Sequence, residues 1–194
     1  GITAENDAPV VLPVPADRTG YVFVGWWNNS IYDGEAVTGE TLSSIDQATV
    51  TLYAKWQPIE YDIIYNENGG TDIADGSYTV EDFVRLETDI VKDGYIFKGW
   101  YDNAEFTGEP IEHISEGSVG DRAFYAKWVK ETYTVSLDEN NDYIDQQSAD
   151  LTLDGAAYAG QTVTVNYGEG YRLPVASTRG FVFEGWYCGN EQIT

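Results

Sequence analysis

Large apolar and small or polar residues alternate along this chain in short bursts, and the bursts repeat. In Tyr95-Ile96-Phe97-Lys98-Gly99-Trp100-Tyr101, aromatic side chains hold every second position until Gly99, after which two aromatics stand side by side. A period of two is the mark of a pleated strand, with Tyr95 and Phe97 on one face and Ile96 and Lys98 on the other. Strict alternation would leave Trp100 outside with Lys98. A bulge at Gly99 returns it to the inner face, because a glycine within a strand often marks such a bend. The same phrase stands at Gly20-Tyr21-Val22-Phe23-Val24-Gly25-Trp26-Trp27 and at Gly180-Phe181-Val182-Phe183-Glu184-Gly185-Trp186-Tyr187. Trp26, Trp100 and Trp186 are therefore expected in the core. Trp27, Tyr101 and Tyr187, one position further on, are expected to face outward.

Two more phrases fix the repeat. Leu52-Tyr53-Ala54-Lys55-Trp56 and Phe124-Tyr125-Ala126-Lys127-Trp128 close the first two copies, and Trp56 and Trp128 join the expected core. Tyr61-Asp62-Ile63-Ile64-Tyr65 opens the second copy and runs into Asn66-Glu67-Asn68-Gly69-Gly70, residues that tolerate the positive φ of a tight turn. A short strand around Ser77 to Val80 is expected to return from it. Tyr133-Thr134-Val135-Ser136-Leu137 opens the third copy in the same way. Trp56 to Trp128 and Tyr61 to Tyr133 are both steps of 72 residues. A period of this size predicts an array of small domains. These are a partial repeat at 1–56 without its opening hairpin, a complete one at 57–128, and one at 129–194 without its closing strand. The third copy is longer in its middle, and an extended or additional hairpin is expected within Ser148 to Gly170. The polar connectors Thr41–Asp46 and Pro110–Glu116 are each expected to hold at most one helical turn.

These phrases resemble the Listeria–Bacteroides repeat family, typified by the B-repeat of internalins. The motifs carrying the likeness are the Asn68-Gly69-Gly70 turn, the Gly94-to-Tyr101 phrase and the closing strand on Trp128. The resemblance implies mainly β or α+β modules, β-grasp-like, in tandem, with mixed or antiparallel sheets. It implies secreted or wall-attached bacterial surface proteins, with no catalytic residues and no cofactor. The third copy departs from the pattern, with Asn140-Asn141-Asp142 in place of the glycine turn.

Charge narrows the partners. Thirty-three acidic residues against ten basic ones give a formal net charge of −23. That field repels phosphate backbones and anionic lipid, so nucleic acid and membrane surfaces are poor partners. No apolar run approaches the roughly 18 residues of a membrane span. The chain opens on Gly1-Ile2-Thr3-Ala4 without an initiator Met, and so reads as a segment whose leader and anchor would lie elsewhere.

Candidate chemistry is thin. A catalytic triad would have to use His113, the only histidine, which sits in a polar connector and reads as solvated. Cys188, the only cysteine, has no histidine near it in sequence and reads as neither nucleophile nor zinc ligand. Asp138-x-Asn140-x-Asp142 has the first half of a calcium-loop spacing. However, Tyr143 and Ala149 occupy the positions that need Gly and Glu, so a plain turn is preferred and no metal is assigned. Asn28-Asn29-Ser30 fits a glycosylation sequon by accident, and Leu173-Pro174-Val175-Ala176-Ser177 lacks the apolar tail of a sorting signal. The expectation is a non-enzymatic stalk or adhesion segment on a bacterial surface. The alternative is a carbohydrate-binding module using Trp27, Tyr101 and Tyr187 as stacking platforms, although cross-strand packing with Tyr53 and Tyr125 is the preferred reading of these aromatics. Its protein or glycan ligand is not legible, and unpaired strand edges at both ends suggest self-association.

Overall fold

The computed structural model describes residues 10–43, 49–138, 150–160 and 162–193. It is mainly β. The first copy supplies β1 (Tyr21–Trp27), a single helical turn α1 (Gly39–Ser43) and β2 (Tyr53–Pro58). The second supplies β3 (Glu60–Asn66), β4 (Gly76–Thr79), β5 (Val84–Arg85), β6 (Tyr95–Tyr101), β7 (His113–Ile114) and β8 (Arg122–Lys130). The third supplies β9 (Thr132–Ser136), β10 (Asp150–Leu153), β11 (Ala156–Ala157), β12 (Thr162–Asn166), β13 (Val175–Ser177), β14 (Trp186–Cys188) and β15 (Glu191–Ile193). These are aromatic and β-branched runs, which suit a half-buried pleated surface.

β1 and β2 pair antiparallel from Tyr21↔Pro58 to Trp27↔Tyr53, and the register slips between Phe23 and Gly25. The slip is the bulge that the glycine predicts. Gly25 takes φ 155°, Gly99 109° and Gly185 137°, a region side chains rarely enter. The extra residue brings Phe23 and Trp26 to one face, their rings 5.5 Å apart and edge-on, and Phe183 and Trp186 repeat the contact at 5.5 Å.

In the second copy a four-stranded sheet runs in the order β4-β3-β8-β6. β3 is antiparallel to β4, Tyr61 opposite Tyr78, and parallel to β8, Ile64 opposite Ala123. A hairpin whose first strand also pairs in parallel with the last strand is the β-grasp arrangement. Asn68 and Gly69, both at positive φ, turn the chain out of β3. The buried core gathers Ile63, Tyr78, Leu86, Trp100, Ile114 and Phe124. The connector after Tyr101 makes no helical turn, within the expected limit of one; it pairs as β7 with β5, Arg85 opposite His113, and buries Ile114. With so few apolar positions, a two-residue ladder that buries one isoleucine serves better than a helix that would bury little.

In the third copy β12 pairs with β9, Val165 opposite Tyr133, as β4 does with β3. Thr162–Asn166 is therefore the return strand of the opening hairpin rather than part of the added length. The added element is the β10–β11 hairpin, closed by Asp154-Gly155 with both φ positive, the geometry of a two-residue hairpin loop. β13 pairs with the other edge of β10. Leu137, Leu151 and Val163 form the small core beneath.

The Cα framework clusters into two compact units. One is Gly1–Ile90 with Lys98–Lys127, the other Val91–Phe97 with Trp128–Thr194.

Candidate functional site

Three local constructions recur, and between them they take up most of the repeated residues. The first is an indole bond. Trp26 Nε1 donates to the carbonyl of Pro13 at 2.8 Å, Trp100 Nε1 to that of Glu87 at 2.5 Å, and Trp186 Nε1 to that of Pro174 at 2.6 Å. Each ties the phrase to the extended segment ahead of it and satisfies the one polar atom that burying a tryptophan would otherwise strand. Trp100 is 1% exposed; Trp26, Trp56, Trp128 and Trp186 are half-buried. The two closing tryptophans meet the same phenylalanine of the phrase, Phe23 with Trp56 at 5.5 Å and Phe97 with Trp128 at 5.3 Å.

The second construction bears on the stacking-platform alternative. Trp27 and Tyr101, which that alternative needs exposed, are 7% and 6% exposed. They do lie off the Phe–Trp face, but a loop folds back over each. Tyr32 and Phe106, both at positive φ, meet them edge-on at 5.9 and 5.7 Å. A lysine from the closing strand covers the pair: Lys55 Nζ lies 4.7 Å from the Trp27 ring, and Lys127 Nζ 4.8 Å from that of Tyr101. The loop itself is pinned by an asparagine. Asn29 donates to the carbonyl of Asp33 and accepts from its N–H, and Asn103 does the same with Thr107. The middle residue of the sequon-like triplet Asn28-Asn29-Ser30 is thus a loop fastener. Tyr187 has neither cover and is 53% exposed.

The third construction joins neighbouring copies at the turn before the phrase. Within the first unit the Ile59 N–H donates to the Gly20 carbonyl at 2.9 Å, and the Tyr21 hydroxyl donates to Glu81 at 2.7 Å. A Cβ on Gly20 would come within 2.7 Å of Val80. Within the second unit the Glu131 N–H donates to the Gly94 carbonyl at 2.8 Å, and a Cβ on Gly94 would come within 2.0 Å of the Tyr167 ring. Here the phenol comes from the other side, Tyr167 donating to Asp93 at 2.5 Å. Both phenols are pushed above their ordinary pKa, first by these hydrogen bonds to carboxylates. A cation caps each turn, Arg18 3.7 Å over Tyr21 and Lys92 4.6 Å over Tyr95. Lys130 and Glu169 form an ion pair at 2.8 Å beside the second junction, which raises the lysine pKa and lowers that of the glutamate.

The remaining candidates are scattered. His113 is exposed and stacks on Phe83 at 4.8 Å. Cys188 is an exposed free thiol. Of the calcium-like triplet, Asn140 and Asp142 fall outside the described residues. Among the described residues no three His, Cys, Asp or Glu side chains are grouped to hold a metal, and no helix is long and apolar enough to cross a membrane.

The family profile of the Listeria-Bacteroides repeat domain matches residues 2–55 and 61–127, more than half of the chain. The chain belongs to the Listeria-Bacteroides repeat domain family. A protein of Evansella cellulosilytica provisionally named as a Gly-rich membrane protein is 31% identical over 139 residues. That match takes in 72% of this chain and 16% of the relative. A second, provisionally named as a membrane protein of the same organism, is 29% identical over 189 residues, 96% of this chain and 25% of the relative. This Listeria-Bacteroides repeat segment thus spans a quarter or less of these relatives. No solved structure matches it.

Proposed function

We propose that this chain is a non-catalytic repeat segment of a bacterial surface protein, serving as a spacer that holds other parts of its parent away from the cell. The observation that carries the reading is where the repeated residues go. In the first two copies the tryptophans, the closing lysines and the Gly-Tyr turns are occupied in closing the copy and fastening it to the next, which is the economy expected of a structural array. The membrane-protein names of the relatives, and the small share of them that this segment spans, support a stretch within a larger envelope protein. The domain boundaries 1–56, 57–128 and 129–194 belong to the same proposal, as does the extracellular, wall-attached location.

The carbohydrate-binding alternative retains one of its three platforms, the exposed Tyr187. A glycan array separates the readings. A spacer gives no saturable glycan binding. Saturable binding that Tyr187→Ala abolishes at unchanged melting temperature would replace it with a binding module. Single-molecule pulling from the two termini supplies the positive test. Discrete unfolding steps, at least one per compact unit, are expected, and one smooth extension would contradict the spacer.

A further inference from the structure

The chain enters and leaves the second copy through strands that lie side by side. It arrives at Glu60, the start of β3, and departs at Lys130, the end of β8. These two strands pair in parallel, from Ile63↔Arg122 to Asn66↔Tyr125. Tension along the backbone therefore pulls β3 and β8 in opposite senses along their shared axis. The paired residues carry that load jointly and must slip together. Strands drawn apart from one end lose one pair at a time. The ladder also extends past its backbone register at both ends. Ahead of Ile63 and Arg122, Asp121 Oδ1 accepts the Asp62 N–H at 3.0 Å. Beyond Asn66 and Tyr125, Asn68 Nδ2 donates to the Ala126 carbonyl at 2.9 Å. Asn68 thus serves twice, turning the chain at φ 51° and fastening the end of β3 to β8. Ile63, Phe124 and Ala126 are buried, so the inner side of the ladder is closed to water that would compete for its bonds. Little slack separates one copy from the next: Ile59 alone lies between β2 and β3, and Glu131 alone between β8 and β9.

We propose that the β3–β8 ladder is a tension clamp, which makes the second copy resist stretching along the chain beyond what its equilibrium stability supplies. The proposal rests on the spacer reading, because a segment held between anchored and distal parts of its parent is loaded from both sides. Resistance to force is set by the barrier to unfolding rather than by the free energy of the folded state. A parallel pair loaded at opposite ends places its hydrogen bonds across the pull, so the barrier includes all of them at once. The flanking bonds of Asp121 and Asn68 add to that set at the two places where slipping would begin. The hairpin partner β4 lies on the other edge of β3 and is outside the direct line between Glu60 and Lys130.

The test uses the full 194-residue chain in an optical trap, with Cys188→Ser as background and two exposed positions changed to cysteine for DNA handles. Glu60→Cys with Val129→Cys loads the ladder in shear. Asp72→Cys with Val129→Cys loads it from the Asn66 end alone and peels it. At one loading rate the shear pair should unfold the copy at roughly twice the force of the peeling pair or more, since its bonds fail together. Asp121→Ala acts at the end that peels last. It should lower the shear force by roughly a tenth to a fifth and leave the peeling force unchanged. Asp121→Asn keeps an accepting oxygen and should restore the shear force. Equal forces in the two geometries would overturn the clamp, as would an Asp121→Ala loss of the same size in both. Neither result touches the spacer reading, which stands or falls on the glycan array and on discrete steps between the termini.

Discussion

The second and third copies share the opening hairpin, the bulge glycine and the indole-to-carbonyl bond, yet the residue after the tryptophan is sealed in one and open in the other. Tyr101 lies under Phe106 and Lys127, whereas Tyr187 is 53% exposed. The two residues are the same amino acid at the same step of the same phrase. Their burial is decided by what comes after them: a loop four residues longer in the second copy, directly after Tyr101, and a closing strand distant in sequence that arrives with its lysine.

The largest effect that should separate the two copies lies in the tryptophans. Trp100→Ala empties a fully buried site and should cost about 3–5 kcal/mol in chemical denaturation. Trp186→Ala, at a half-buried site, should cost clearly less, and equal losses would mean that the third copy is as closed as the second. Next come the turn glycines. Gly94→Ala meets the Tyr167 ring as well as a positive φ and should cost about 1–3 kcal/mol. Gly180→Ala pays only for its φ, about 1 kcal/mol, because the space beside it is open. Lys127→Ala should follow, at about 0.5–1 kcal/mol through the lost ring contact. Tyr187→Ala in the third copy should fall within about 0.5 kcal/mol of wild type.

The smallest effect is in pH dependence. Tyr21 and Tyr167 have folded pKa values raised above the ordinary 10.0 by their bonds to Glu81 and Asp93. Their contribution is complete below that ordinary value and is lost as pH rises through the raised one. Alkaline titration of the melting temperature should therefore show a loss that Tyr21→Phe and Tyr167→Phe each reduce. An unchanged alkaline slope in both variants would remove the phenols from the junctions.

Much of this was legible along the chain. The alternation broken by glycine gave both the strand and its bulge, and the three ordered phrases gave the repeat, while the resemblance left a mixed or an antiparallel sheet open. The covered second face was not legible, for a physical reason. Tyr32 and Phe106 reach their partners only through a positive φ held by Asn29 and Asn103, and nothing in the local pattern announces that fold-back. Lys55 and Lys127 look like outward charges by alternation. Only the cross-strand register shows that their stems run along aromatic rings. The junctions were hidden likewise, since they depend on contacts 60 and 74 residues apart in sequence, between Gly20 and Val80 and between Asp93 and Tyr167. The β7 ladder was missed because two residues carry no readable period.

The phrase becomes a closed strand only where a lysine-bearing strand pairs with it. Residue-resolved amide hydrogen exchange tests this most directly. Slow exchange through Val22–Trp27 with fast exchange through Phe181–Gly185 is the predicted result, and equal protection of the two stretches would contradict it.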